Sequence, residues 1–140
     1  MINFQAESKK SGDSFEKVVL QDLRIRGFKD IQQNIYMPGT GCEVDFIADN
    51  KEHIESKGGE NGISKRPGAQ RTDNVKKAIA NGALIKLKYP DIYYVVYFSA
   101  KANDFSSSKE MIDLALANKI IDEVRYLPNQ SQDWLLFDEF

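Results

Sequence analysis

The chain is poor in the residues that build disulfides and zinc centres. Among its 140 residues Cys42 is the only cysteine and His53 the only histidine. No internal disulfide can form, which fits a reducing, cytoplasmic setting. A zinc site of several His and Cys ligands is excluded, so any metal must be held mainly by oxygen, the preference of magnesium, with manganese as its substitute. No stretch reaches the ~20 apolar residues that a membrane-spanning helix needs. The first ten residues, Met-Ile-Asn-Phe-Gln-Ala-Glu-Ser-Lys-Lys, lack the apolar segment of a secretory signal, so a cytoplasmic location and no membrane partner are expected. Net charge is also small, −2, and does not mark a nucleic-acid binder by itself.

What is present suffices for one domain over residues 1–140, with a hydrophobic fraction of 41% that suits a packed core. The charge is unevenly spread. Between Ser64 and Lys88 stand Lys65, Arg66, Arg71, Lys76, Lys77, Lys86 and Lys88 against a single acid, Asp73, while the last twelve residues carry acids and no base. A local basic stripe can meet phosphates on a protein of low net charge, although a solvated helix face has the same composition.

Residues 1–11 read as a loose arm. Asp13 and Glu16 form a capping box ahead of a helix that stops at Gly27. A strand is predicted over 29–36, then a turn at Met37-Pro-Gly-Thr-Gly41, then two strands at Cys42–Ala48 and 52–58 around a tight turn. After a glycine-rich loop, Gln70 opens a helix running to Leu87, with Gly82 weakening its end. Ile92 to Phe98 is a continuous apolar strand, Ser106 to Ser108 cap a helix to Asn118, and a last strand runs from Ile120 to Leu127. The order predicts an α/β fold: a mixed central sheet, part antiparallel and part parallel, flanked by helices. The tail Trp134-Leu-Leu-Phe137 is expected to dock on the core or on a second subunit.

The hairpin carries the chemistry. Strand side chains alternate, so Glu55 and Lys57 point one way, as do Glu43 and Asp45. A three-residue turn at Asp49-Asn50-Lys51 would set Asp45 opposite Glu55 and Glu43 opposite Lys57, with Val44, Phe46, Ala48 and Ile54 on the other face. Facing carboxylates repel unless a cation lies between them. A two-residue turn would send them to opposite faces. On the first helix Glu16 falls between Leu20 and Leu23 on the apolar arc, a costly place for an acid without a partner or a nearby metal, and Asp22 intrudes on the same arc.

Glu16 on a first helix, Asp45, a nine-residue spacer and Glu55-Ser-Lys57 together resemble the PD-(D/E)xK nuclease superfamily, and the predicted helix–three strands–helix–strand order is similar to its restriction-endonuclease-like core. One departure is Val44, where a proline often precedes the aspartate. The resemblance implies magnesium-dependent cleavage of DNA phosphodiester bonds. Asp45 and Glu55 would hold the metal with the Ser56 carbonyl, Lys57 would orient or deprotonate the attacking water, and Glu16 would bind a second metal or its water. Gln70 sits where some members place a glutamine, but the companion tyrosine of that motif falls at Asn74. Small phage or mobile-element nucleases of restriction, homing or junction-resolving type are the compatible size. A homodimer is expected, since two DNA strands call for two sites. The alternative is a nucleic-acid-binding module that kept the fold without cutting.

Lys65, Arg66, Gln70, Arg71, Lys76 and Lys77 are the expected nucleic-acid contacts. Glu43 reads as a salt-bridge partner of Lys57 ahead of a further ligand, His53 as a surface residue ahead of a base, and Cys42 as a small core residue.

Overall fold

The computed structural model describes residues 4–58 and 67–127, with side chains from residue 14 onward. The elements follow in the order α1 (Phe4–Ile25), β1 (Ile31–Met37), β2 (Cys42–Ala48), β3 (Glu52–Lys57), a 3-10 turn (Gly68–Gln70), α2 (Thr72–Lys88), β4 (Tyr94–Phe98), α3 (Ser107–Ala117) and β5 (Glu123–Tyr126). The fold is α/β, with one five-stranded mixed sheet in the order β1-β2-β3-β4-β5. The first two pairings are antiparallel and the last two parallel, as the hairpin and crossover pattern predicts. No helix among the described residues is long and apolar enough to cross a membrane.

Each face of the sheet has its own layer. Phe15, Val19 and Leu23 of α1 pack on Phe46, Ile54, Val95 and Tyr97. On the other face Val75, Ala78 and Ile85 of α2 and Ile112 and Ala115 of α3 cover Tyr94, Val96 and Phe98. β4 sits between β3 and β5 with every side chain buried, which explains its unbroken apolar run.

α1 differs from expectation at its start. Residues 4–11, read as an arm, are helical, and Asp13 lies inside the helix rather than capping it. The segment Gln5-Ala-Glu-Ser-Lys-Lys is mostly good helix formers, whose summed propensity outweighs the local capping pattern. The stop is as predicted. Gly27, at φ 98°, donates to the Arg24 carbonyl at 3.0 Å, and Phe28 N donates to Leu23 at 3.2 Å, a Schellman closure that needs a left-handed residue. The acid Asp22 is explained by burial chemistry. It accepts from the Tyr97 hydroxyl at 2.6 Å and pairs with Arg26. That hydroxyl also accepts from buried Arg125, whose guanidinium grips both Glu52 carboxylate oxygens at 2.9 and 2.7 Å and reaches Glu123 at 2.6 Å.

α2 continues past Gly82 to Lys88, and Gly82 is buried within it. A Cβ there would lie 2.7 Å from the Tyr94 ring and 2.9 Å from the Ile120 carbonyl oxygen, so the bare backbone is what lets α2 close onto the sheet. Gly82→Ala is therefore expected to lower the melting temperature: overpacking at ~1–3 kcal/mol outweighs a helix-propensity gain of at most ~1 kcal/mol. Thermal denaturation followed by circular dichroism checks it.

Candidate functional site

The hairpin register is the one a three-residue turn requires. Phe46 pairs with Ile54, Ile47 with His53 and Ala48 with Glu52. Asp49 and Asn50 take left-handed conformations (φ 51° and 54°), which their short polar side chains tolerate, and Lys51 N closes the turn on the Ala48 carbonyl at 2.8 Å. One step beyond the last paired residues, the same register sets Asp45 opposite Glu55.

Pairing between β2 and β3 stops there, while β3 continues along β4 to Lys57. The His53 N–H donates to Tyr93 on the β4 side. Alternation then turns the Ser56 N–H toward β2, where no backbone acceptor meets it. The Asp45 carboxylate fills the gap: its Oδ2 accepts from Ser56 N at 2.7 Å and from Ser56 Oγ at 2.9 Å. The strands thus fork at Asp45.

The fork has a counterpart across β2. Gln33 pairs with Phe46 and Ile35 with Val44, but Asn34, at φ 55°, and Asp45 are not paired. Side-chain parity changes at this break. Cys42 and Val44 join the α2–α3 layer together with Ile47, whereas Phe46 and Ala48 join the α1 layer. The expectation that Val44 shares a face with Phe46, Ala48 and Ile54 is corrected accordingly; period-two counting assumes a regular strand and cannot register a left-handed residue in its neighbour. The same break removes the expected Glu43–Lys57 partnership. Exposed Glu43 lies between two residues of the α2–α3 layer and so points the other way, while Lys57 pairs in the parallel ladder with Phe98 of that layer.

Glu55 faces α2 and is 5% exposed. Its Oε2 accepts from Asn81 Nδ2 at 2.9 Å. Burial, then the charge of the facing Asp45, push Glu55 up to about 8, while Lys57 and Asn81 act in the opposite direction. Lys57 is half-buried, and among the described residues no acidic side chain forms an ion pair with it.

Asp45, Glu55, Ser56 and Lys57 are thus brought together. Glu16 is half-buried on α1, next to Phe15, whose Cβ would be 2.7 Å from a Cβ at Gly58 just past Lys57. Among the described residues, however, no group of three or more His, Cys, Asp and Glu side chains is arranged to hold a metal ion, so Glu16 does not complete a trio with Asp45 and Glu55. His53 is half-buried rather than on the surface, with Nδ1 enclosed and no hydrogen-bond partner among the described residues, and burial lowers its pKa. Gln70 lies in the 3-10 turn, with Arg71 between it and α2, so it does not open that helix. Arg71 at the N-cap of α2 and Lys76 and Lys77 on the helix are exposed, Lys77 beside Asp73 at 3.2 Å, whereas Lys86 is tied to Asp122. Lys65, Arg66 and the Trp134–Phe137 tail lie outside the described residues. Asn74 takes a structural part: its Nδ2 donates to the Gly58 and Gly68 carbonyls, joining the end of β3 to the 3-10 turn.

The residue that sequence reasoning missed is Asn81. A signal was present: it stands three positions after Ala78 and four before Ile85, an amide within the apolar stripe of α2.

The Glu55 environment has a consequence for stability. Its folded-state pKa lies above the ordinary 4.5, so the native chain binds more protons than the unfolded one between pH 4.5 and about 8, and stability falls as pH rises through that window. Glu55→Gln is expected to abolish this fall, matching wild type near pH 5 and exceeding it above pH 8 in urea unfolding.

Comparison with protein-family models, with curated proteins and with solved structures finds no match to this chain.

Proposed function

We propose that the chain is a metal-dependent endonuclease that hydrolyses DNA phosphodiester bonds at the β2–β3 fork. The observation that carries this reading is the hairpin register that sets Asp45 opposite Glu55, with Lys57 on the same sheet face as Glu55. Two facing carboxyls on neighbouring strands offer a divalent cation a place between them, and an all-oxygen donor set suits magnesium or manganese. Asp45, Glu55 and the carbonyl of Ser56 would hold it. When bound, such an ion acts as a Lewis acid and lowers the pKa of its water.

The chain's own residues supply the rest. The Ser56 N–H and hydroxyl hold Asp45 in place at 2.7 and 2.9 Å. Lys57 carries fixed positive charge to the edge of the fork, where it can orient the attacking water and offset charge that builds on the phosphate oxygens. Glu16 keeps a proposed place beside a second cation or its water, outside the Asp45–Glu55 pair. Arg71, Lys76 and Lys77, with Gln70, Lys65 and Arg66, are the proposed backbone contacts to DNA. One fork per chain and two strands per duplex make a homodimer the proposed working unit.

The test is incubation of plasmid, a four-way junction and single-stranded DNA with the protein, with and without magnesium or manganese. Wild type is expected to cleave at least one substrate only with metal, and Lys57→Ala to lower the rate by roughly 10²–10³-fold, the scale of a lost electrostatic stabiliser. Binding without cleavage would favour the non-cleaving module, and inactivity of wild type on every substrate would end the nuclease reading.

A further inference from the structure

Resting on that reading, we propose that Asn81 is a positioning residue for the metal centre: from α2 it holds the Glu55 carboxylate against Asp45, with Cys42 fixing which way its amide points. The side chain sits between the two groups. Its Nδ2 donates to Glu55 Oε2 at 2.9 Å, and its Oδ1 faces the Cys42 Sγ at 3.6 Å. A thiol is a weak donor, and it has the Thr40 carbonyl as a second acceptor at 3.6 Å. With the thiol donating to the amide oxygen, the amide nitrogen is turned toward Glu55. A flipped amide would set its oxygen against the Glu55 Oε2 that now accepts from Nδ2, replacing a donor with a second acceptor.

The geometry gives this contact weight. Glu55 is almost fully buried and belongs to the strand that has lost its β2 partner at this point, so neither water nor a backbone neighbour across the fork fixes its carboxyl. Asn81 stands one position before Gly82, where α2 makes its close approach to the Tyr94 ring, so the donor is carried on a part of the helix seated directly on the sheet. Cys42 is buried at the start of β2, three residues before Asp45. The two carboxylates are therefore linked from outside: Asp45 through Ser56, Glu55 through Asn81, and Asn81 through Cys42.

The test measures Mn2+ binding to the metal-free protein by electron paramagnetic resonance, beside the metal dependence of cleavage. Asn81→Leu keeps the volume and removes the donor; it is expected to weaken Mn2+ binding by roughly 10–100-fold, the usual loss when a ligand's supporting hydrogen bond is removed. Asn81→Gln, which keeps an amide, should recover part of that loss. Cys42→Ser keeps a donor and should bind as wild type does, while Cys42→Ala should bind less tightly. Melting curves of each variant show whether it is folded, and the cysteine pair carries the test if Asn81→Leu is not. Equal Mn2+ affinity in wild type, Asn81→Leu and Cys42→Ala would overturn the positioning role while leaving the metal centre intact. Absence of Mn2+ binding in wild type would overturn both.

Discussion

The contact on which the rest depends is the one between the Asp45 carboxylate and the Ser56 backbone. Two strands that part within a sheet leave donors facing nothing, and a buried N–H without a partner costs ~1–3 kcal/mol. Asp45 supplies the acceptor that β2 withholds, and its charge strengthens the bond. The fork is stable because that position carries an acid. The same acid then lies beside Glu55, where its charge and the burial of the neighbouring carboxyl oppose ionisation. A structural repair and a coupled pair of carboxyls thus arise from one side chain, and neither can be altered without the other.

The hairpin was legible because turn chemistry and register are local. Asp49 and Asn50 are residues that accept a left-handed backbone, and the three-residue turn follows from them. Once the register holds, the meeting of Asp45 and Glu55 is arithmetic. The order of strands and helices was legible for a related reason: each apolar run had one length and one period. The apolar run from Ile92 to Phe98 marks a covered strand, and β4, which begins at Tyr94, is buried throughout while Ile92 and exposed Tyr93 lead into it.

What escaped the sequence depends on contacts between distant segments. The parity change at Asp45 has its sign on another strand, at Asn34, and no count along β2 reveals it. Asn81 meets Glu55 across 26 positions. The two acids on the apolar arc of α1 look alike on a helical wheel, yet Asp22 is answered by Tyr97 from a strand 75 positions away, whereas Glu16 forms no trio with the hairpin acids. A wheel reports that an acid faces inward; it cannot name what waits there. At the start of α1 the balance is the opposite: the strong local capping signal at Asp13 is outweighed by the weaker but longer helix preference upstream.

Asp49 does more than bend the hairpin. Its Oδ1 accepts from the backbone of Lys29 and Asp30, at 3.1 and 2.7 Å, and its own N–H donates to the Asp30 carbonyl at 2.7 Å. The tip of one hairpin is thereby clamped to the root of the strand beside it. For descent with modification this separates two kinds of change. The tip can exchange side chains that still accept and still turn left-handed, but it cannot change length: one residue gained or lost would move the clamp and exchange the two faces of a strand together. Homologues of this hairpin should therefore vary in letters and stay constant in spacing.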